Sequence, residues 1–170
     1  MEINEQETSG PPDNRSLEER IGDKNWKTRS VAYNDLKNLF KSSFPDDPVF
    51  DEYVSWMHKL ASDSNASALD TGLDTVLLFA EMAPLSCIRQ CADRVCDAVI
   101  DKALSANKAS SQQKGKAIIL KLMEVDEPTV CSNLLVSKFN DKKPKIPPTC
   151  IGIIFEGITL FGVRPFPVKE

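Results

Sequence analysis

The sequence predicts an all-α protein built as a short solenoid of about four helix pairs. Three observations predict it. Apolar residues recur at helical spacing through most of the chain, strict alternation over a strand length is scarce, and the breaks between helices return at a regular interval.

The elements follow in order. Ser16 and Glu19 read as a capping box that opens a first short helix. Residues 22–25 break it, and a longer helix runs from about Lys27 to Ser42, with Ala32, Leu36, Leu39 and Phe40 on one face. "SFPDDP" is a turn. Phe50, Val54, Met57 and Ala61 stripe the next helix, which ends near "SDSNAS", where Asn65 suits an N-cap. Ala66, Leu69, Leu73, Val76, Leu77 and Ala80 continue one face over the helix that follows. Pro84 opens another helix, running to about Ser105, and "SANKASSQ" breaks it. A helix through Val125 follows. Asp126 can then cap a successor with Pro128 in its first turn. "FNDKKPKIPP" is the last break, before a helix to about Phe161 striped by Ile146, Cys150, Ile153 and Ile154. "CIGIIF" has strand composition, but its surroundings keep the helical period.

The breaks are of two kinds. Tight polar loops fall near Asn25, Ser64, Asn107 and Asp141, roughly 35 to 45 residues apart, the HEAT or armadillo interval. Between them lie Pro-bearing links near Pro45, Pro84 and Pro128. Each repeat is therefore a helix A, a tight loop, a helix B and a link. Stacking such pairs sets all the tight loops along one edge.

Bulk properties exclude several functions. A chain of 170 residues is one domain or part of one, with 41% hydrophobic and 27% charged residues. A net charge of -4 argues against nucleic acid, which needs a basic footprint across the domain. No apolar run reaches membrane-spanning length. Residues 1–15 are acidic and polar, which suits a disordered leader rather than an export signal and points to the cytoplasm. Cys87, Cys91, Cys96, Cys131 and Cys150 match no zinc spacing and read as buried thiols. The single histidine, His58, has no nucleophile motif nearby, and no phosphate loop or dinucleotide fingerprint is present. The expectation is a protein that is not an enzyme and takes no cofactor, metal or small-molecule substrate.

The loop edge gathers the remaining chemistry. Loop one offers Lys24, Asn25, Trp26, Lys27 and Arg29, and loop two Asp63, Ser64 and Asn65. Loop three offers Asn107 and Lys108, with Lys114 a turn or two along, and loop four Asp141, Lys142, Lys143 and Lys145. Three basic loops on an acidic chain suit an acidic protein surface. Spacing alone leaves two readings of Trp26 open: packing between the first two helices, or display as an interface anchor among cations. The lysines from 142 to 145 are either a solvated face or a binding strip. Trp56, inside a helix next to Met57, reads as packing.

"LEERIGDKNWKTRSVAYNDLKNLF" resembles the opening repeat of a TOG domain, the HEAT module of the microtubule polymerase family, and within it the first TOG domain. Leu17, Glu19, Arg20, Lys24, Trp26, Lys27 and Arg29 carry the likeness, with Asp23 standing where the family usually has His. "DSN" at residues 63–65 resembles a hallmark second-repeat loop, although the Gln-Glu that usually follows is lacking. "KKPKI" resembles the fourth-repeat loop and Phe161-Gly162 the end of that repeat. The resemblance spans about residue 17 to the C-terminus. It implies a partial TOG domain over residues 16–162, with residues 163–170 a tail or the start of a fifth repeat and that repeat's basic loop missing. Phe155, Ile158, Leu160 and Phe161 would then face an absent neighbour.

The resemblance further implies binding of αβ-tubulin through the loops, with Trp26 as apolar anchor. Lys24, Asn25, Lys27, Arg29, Asp63, Ser64, Asn65, Lys108, Lys114, Lys142, Lys143 and Lys145 would surround it. It implies placement on cytoplasmic microtubules, the spindle, its poles or the centrosome, and kinetochores. The alternative is a HEAT- or VHS-like adaptor that binds a peptide or lipid on its concave helix-B face and leaves the loops idle.

Overall fold

The computed structural model describes residues 13–125, 129–163 and 166. Asp126 and Pro128 lie outside the described residues, as do residues 1–12 of the leader and most of the tail.

Among the described residues the structure is helical throughout. The first pair is α1 (Leu17–Ile21) and α2 (Trp26–Ser42). The second joins α3 (Val49–Tyr53) and α4 (Met57–Leu60), linked by a 3-10 turn at Val54–Trp56, to α5 (Ala66–Met82). The third is α6 (Leu85–Ala98), extended by a π-helical turn at Val99–Ala103, with α7 (Ala109–Val125). The fourth is α8 (Thr129–Ser137) with α9 (Ile146–Phe161). Helices α2, α5, α7 and α9 stack on one another as the B layer, and α4, α6 and α8 as the A layer. This is the expected all-α solenoid of four helix pairs.

Caps set the helix starts as the sequence indicates. Ser16 and Glu19 form the complete capping box. Asn25 accepts from the Lys27 amide, and Asn65 accepts from those of Ser67 and Ala68, each satisfying N–H groups that the first turn leaves orphaned.

Two helices depart from the expected continuous form. In the second repeat, Val54, Met57 and Leu60 are all buried at spacings of three. The 3-10 turn, with three residues per turn, keeps that triplet on the core side. In the third repeat, the amide of Leu104 reaches back to the Val99 carbonyl at 3.1 Å, so one wider turn buries Val99, Ile100, Ala103 and Leu104 together. Gly115 of α7 faces that turn. A Cβ there would lie 2.7 Å from the Ala103 Cβ, so only glycine permits this approach.

The core is continuous across the repeats. Phe40 stacks on Phe50 with centroids 5.0 Å apart and meets Phe79 at 5.6 Å, welding the first repeat to the second. The buried Thr75 hydroxyl donates to the Tyr33 carbonyl at 2.8 Å and ties α5 to α2. Leu39, placed on the core face by spacing, is 38% exposed because it stands at the margin of the stripe beyond Leu36 and Phe40. All five cysteines are buried thiols outside any disulfide. Trp56 packs against the core, with the Lys59 ammonium 4.1 Å from its ring centroid. On α9, Phe155 and Leu160 are exposed as expected, whereas Ile158 and Phe161 are half-buried against the core.

Candidate functional site

The tight loops meet along one edge because specific side chains lace each to the next. Arg29 Nε and Nη2 donate to the two Asp63 carboxylate oxygens, both at 2.7 Å, joining the first repeat to loop two. Asp70, a turn into α5, accepts from Lys108, Ser110, Ser111 and Lys114 at 2.7–2.9 Å, joining the second repeat to the third. Lys143 pairs with Asp101, and the Lys145 ammonium reaches Asn107 at 3.3 Å, joining loops three and four.

The loops also share a local turn. The Asp23 carboxylate accepts from the Asn25 amide at 2.7 Å, Asp63 from that of Asn65 at 2.8 Å, and Asp141 from that of Lys143 at 2.8 Å. Each is an Asx turn two residues long. In loops one and two the residue closing this turn then caps helix B, so "Asp-x-Asn" specifies turn and helix start together. In loop three Ser105 replaces the aspartate, and its hydroxyl instead donates to the Asp101 carbonyl at 2.6 Å. This recurring aspartate was visible in the sequence at positions 23, 63 and 141.

The electrostatics follow from the lacing. Burial pushes the Asp70 carboxyl upward, but hydrogen bonds from Lys108, Ser110, Lys114 and Ser111 outweigh it and hold the group far below the usual carboxylate range. At Asp63, burial likewise opposes Arg29, the Asn65 amide and Tyr33, and the net shift is again downward. Lys143 lowers Asp101. Burial opposes the charge of Lys114, yet Asp74 and Asp70 raise its pKa overall.

The expected contact residues therefore divide. Trp26 is 36% exposed at the first position of α2, with the Lys27 ammonium 5.9 Å from its ring centroid. Lys24, Asn25, Lys27, Ser64, Lys108, Lys142, Lys143 and Lys145 are exposed and Asn65 is half-buried. Among the described residues, no ion pair holds Lys24, Lys27 or Lys142. Three residues depart from the expected role of surface contact. The Asp63 side chain is 1% exposed, and Arg29, at 15%, is committed to it. Lys114 lies along α7, bridging Asp70 and Asp74. Stacking of the repeats turns all three inward. An open cleft of about 400 Å3 separates loops two and three, lined by Ser64, Leu69, Lys102, Asn107 and Lys108 among others.

Residues 13–170 match the XMAP215/Dis1/CLASP TOG-domain family. The chain belongs to this family. This TOG domain is 30% identical over 154 residues to Protein MOR1 of Arabidopsis thaliana, a match covering 90% of the chain and 8% of MOR1. It is 27% identical over 154 residues to Protein mini spindles of Drosophila melanogaster, covering 90% of the chain and 7% of that protein. The chain thus spans less than a tenth of the length of either relative.

Two solved structures share its fold. One, from work on tubulin recruitment and assembly by microtubule polymerases with TOG domain arrays, superposes with a TM-score of 0.79 at 23% identity. The match covers 90% of this chain and 32% of that one. The other, from work on how crescerin uses a TOG domain array to regulate microtubules in the primary cilium, superposes with a TM-score of 0.71 at 22% identity, covering 89% of this chain and 62% of that one. In this TOG domain no group of three or more metal-ligating side chains occurs among the described residues, and no helix is long and apolar enough to cross a membrane.

Proposed function

We propose that the laced loop edge binds αβ-tubulin dimers, making the chain a tubulin-binding module of a microtubule polymerase that promotes plus-end growth and spindle organisation. The observation that carries this reading is Trp26, a half-exposed aromatic flanked by Lys24 and Lys27, which no ion pair holds among the described residues, at the end of a row of basic loops. An exposed Trp among cations has the composition of an interface hot spot. Helices α2, α5, α7 and α9 also begin at this edge, so their positive dipole ends add to the lysines against an acidic partner. Family membership and the tubulin-recruiting relative support the same partner.

Trp26 is the apolar anchor. Lys24, Lys27, Lys108, Lys142, Lys143 and Lys145 provide electrostatic contact, and Asn25, Ser64 and Asn65 the polar contact between them. Arg29, Asp63 and Lys114 hold the edge from beneath. Delivery of tubulin to a growing end requires only that the module bind the free, curved dimer more tightly than the straightened one in the lattice. This is differential affinity between two states of the partner, with no nucleotide chemistry by the module. The place of action is then the cytoplasmic microtubule, the spindle and its poles.

The test is co-elution with unpolymerised tubulin at low salt, comparing the chain with Trp26→Ala and Lys142→Ala. Loss of co-elution in both variants supports the proposal. Undiminished co-elution by a doubly substituted chain overturns it. The second reading, an adaptor binding on the helix-B face, has one favourable observation: a groove between α5, α7 and α9 lined by Leu77, Leu120, Leu160 and Phe161. It predicts that Leu120→Glu abolishes partner binding while Trp26→Ala does not.

A further inference from the structure

Arg29 lies three residues beyond Trp26, and whereas Lys24 and Lys27 beside it face solvent, its guanidinium is turned inward. Nη1 donates to the backbone carbonyls of Asp23 at 2.8 Å and Lys24 at 3.1 Å, within the turn that leads into Trp26. Nε and Nη2 form the bidentate fork on Asp63. Four donor hydrogens of the group are thereby engaged, of the five that a guanidinium carries. The acceptor is equally saturated. One Asp63 oxygen takes Arg29 Nε and the Tyr33 hydroxyl at 2.7 Å, and the other takes Arg29 Nη2 and the Asn65 amide. A planar fork fixes two directions at once, which a lysine cannot reproduce.

We propose that Arg29 and Asp63 are positioning residues for Trp26: their buried fork clamps the carbonyls of loop one against loop two and so fixes where the indole is presented, without either residue touching the partner. The inference rests on the reading of the loop edge as a tubulin-binding surface. Tyr33 belongs to the same device. Burial, then the Asp63 carboxylate, push its phenol well above the ordinary range, so it remains a proton donor to Asp63 at any working pH. Preorganisation of an anchor lowers the ordering cost of binding, so loosening the clamp weakens affinity although no contact with the partner is removed.

The test compares tubulin affinity, its salt dependence and thermal unfolding for Arg29→Lys, Arg29→Gln, Asp63→Asn and the Arg29→Gln/Asp63→Asn pair. Positioning predicts that each single change weakens binding by about ten-fold or more and that the pair is no worse than either alone. The slope of affinity against salt stays that of the parent chain, because no charge facing the partner is lost. Tyr53→Phe, which removes the Tyr53–Glu18 hydrogen bond between α1 and α3, serves as a stability control and leaves affinity unchanged. In a Trp56→Phe background, the emission of Trp26 without tubulin shifts in Arg29→Lys and not in Tyr53→Phe.

The opposite pattern overturns the proposal. If Asp63→Asn binds as well as the parent or better while Arg29→Gln loses affinity and salt slope, Arg29 is a direct contact released from its tether. Full affinity of Arg29→Lys also overturns it. Trp26→Ala separates the two levels. If that variant binds normally, the tubulin reading fails and positioning falls with it. If it loses binding while the Arg29 variants do not, positioning alone fails.

Discussion

The Lys114 ammonium lies 2.9 Å from the Asp70 carboxylate and 2.9 Å from that of Asp74, so one cation on α7 bridges two acids on successive turns of α5. Asp70 also accepts from Lys108, Ser110 and Ser111. The junction between the second and third repeats is thus an electrostatic seam laid beside the apolar contact of α5 with α7.

That seam sets an acid limit on stability. Asp70, Asp63 and Asp101 all titrate below their ordinary range in the folded chain. An unfolded Asp titrates near about 3.9, so in acid the unfolded chain binds more protons. The contribution is therefore complete above about pH 5 and is lost as pH falls through the folded values. Asp70→Asn should cost about 1–3 kcal/mol at neutral pH and flatten the acid limb. Urea unfolding of both chains between pH 7 and pH 3 checks this, and parallel acid limbs would refute it.

Glycines at two sites should respond with opposite signs. A Cβ at Gly72 would lie 2.7 Å from the Leu60 carbonyl oxygen, a backbone atom at the end of α4 that cannot step aside. Gly72→Ala should destabilise by about 1–3 kcal/mol. Gly152, within α9, has nothing within 4 Å of that position. Gly152→Ala should stabilise by about 0.4–1 kcal/mol through helix propensity and a less free unfolded chain. Calorimetric melting of the two variants gives the comparison.

Rim charge should act on encounter more than on residence. Lys27 and Lys142 are exposed, and among the described residues neither is held by an ion pair. Reversal of either, Lys27→Glu or Lys142→Glu, should slow association with tubulin about three- to ten-fold at low salt, with the difference shrinking as salt rises. Stopped-flow mixing across a salt series measures it. An association rate equal to that of the parent chain at low salt would remove these lysines from the contact set.

The five thiols should be silent in the native state. Burial pushes Cys150 up to about 11, while a hydrogen bond with Cys131, then burial, raise Cys96. A thiol-disulfide reagent at pH 8 should label the native chain slowly and all five cysteines once it is unfolded. Rapid labelling of the folded chain would show that the α6–α8–α9 interior opens readily.

Much of the fold was legible in the sequence because its determinants act over one or two turns. Ser16 with Glu19 and Asn65 before α5 cap the helices at the expected places, and the stripe through Leu36 and Phe40 fixes which face of α2 is buried. The loop interval gave the repeats. The breaks inside the helices were not legible. The 3-10 turn at Val54 and the π turn at Val99 exist to keep particular side chains buried against neighbours in other repeats, and local propensity does not encode those neighbours.

The candidate site divides along the same line. By itself the sequence determined an all-α repeat chain, the four tight loops, and the concentration of lysines and Trp26 upon them. Only the tertiary structure decided which charges face outward. Arg29 and Asp63 stand 34 positions apart, and Lys114 and Asp70 stand 44 apart. Whether such pairs meet depends on how one repeat is rotated on the next, and that rotation is set by packing of the whole B layer. A cation read in sequence as a contact therefore becomes a fastener when stacking brings an acid beneath it, while Lys27, two residues before Arg29 and about half a helical turn away, remains at the surface.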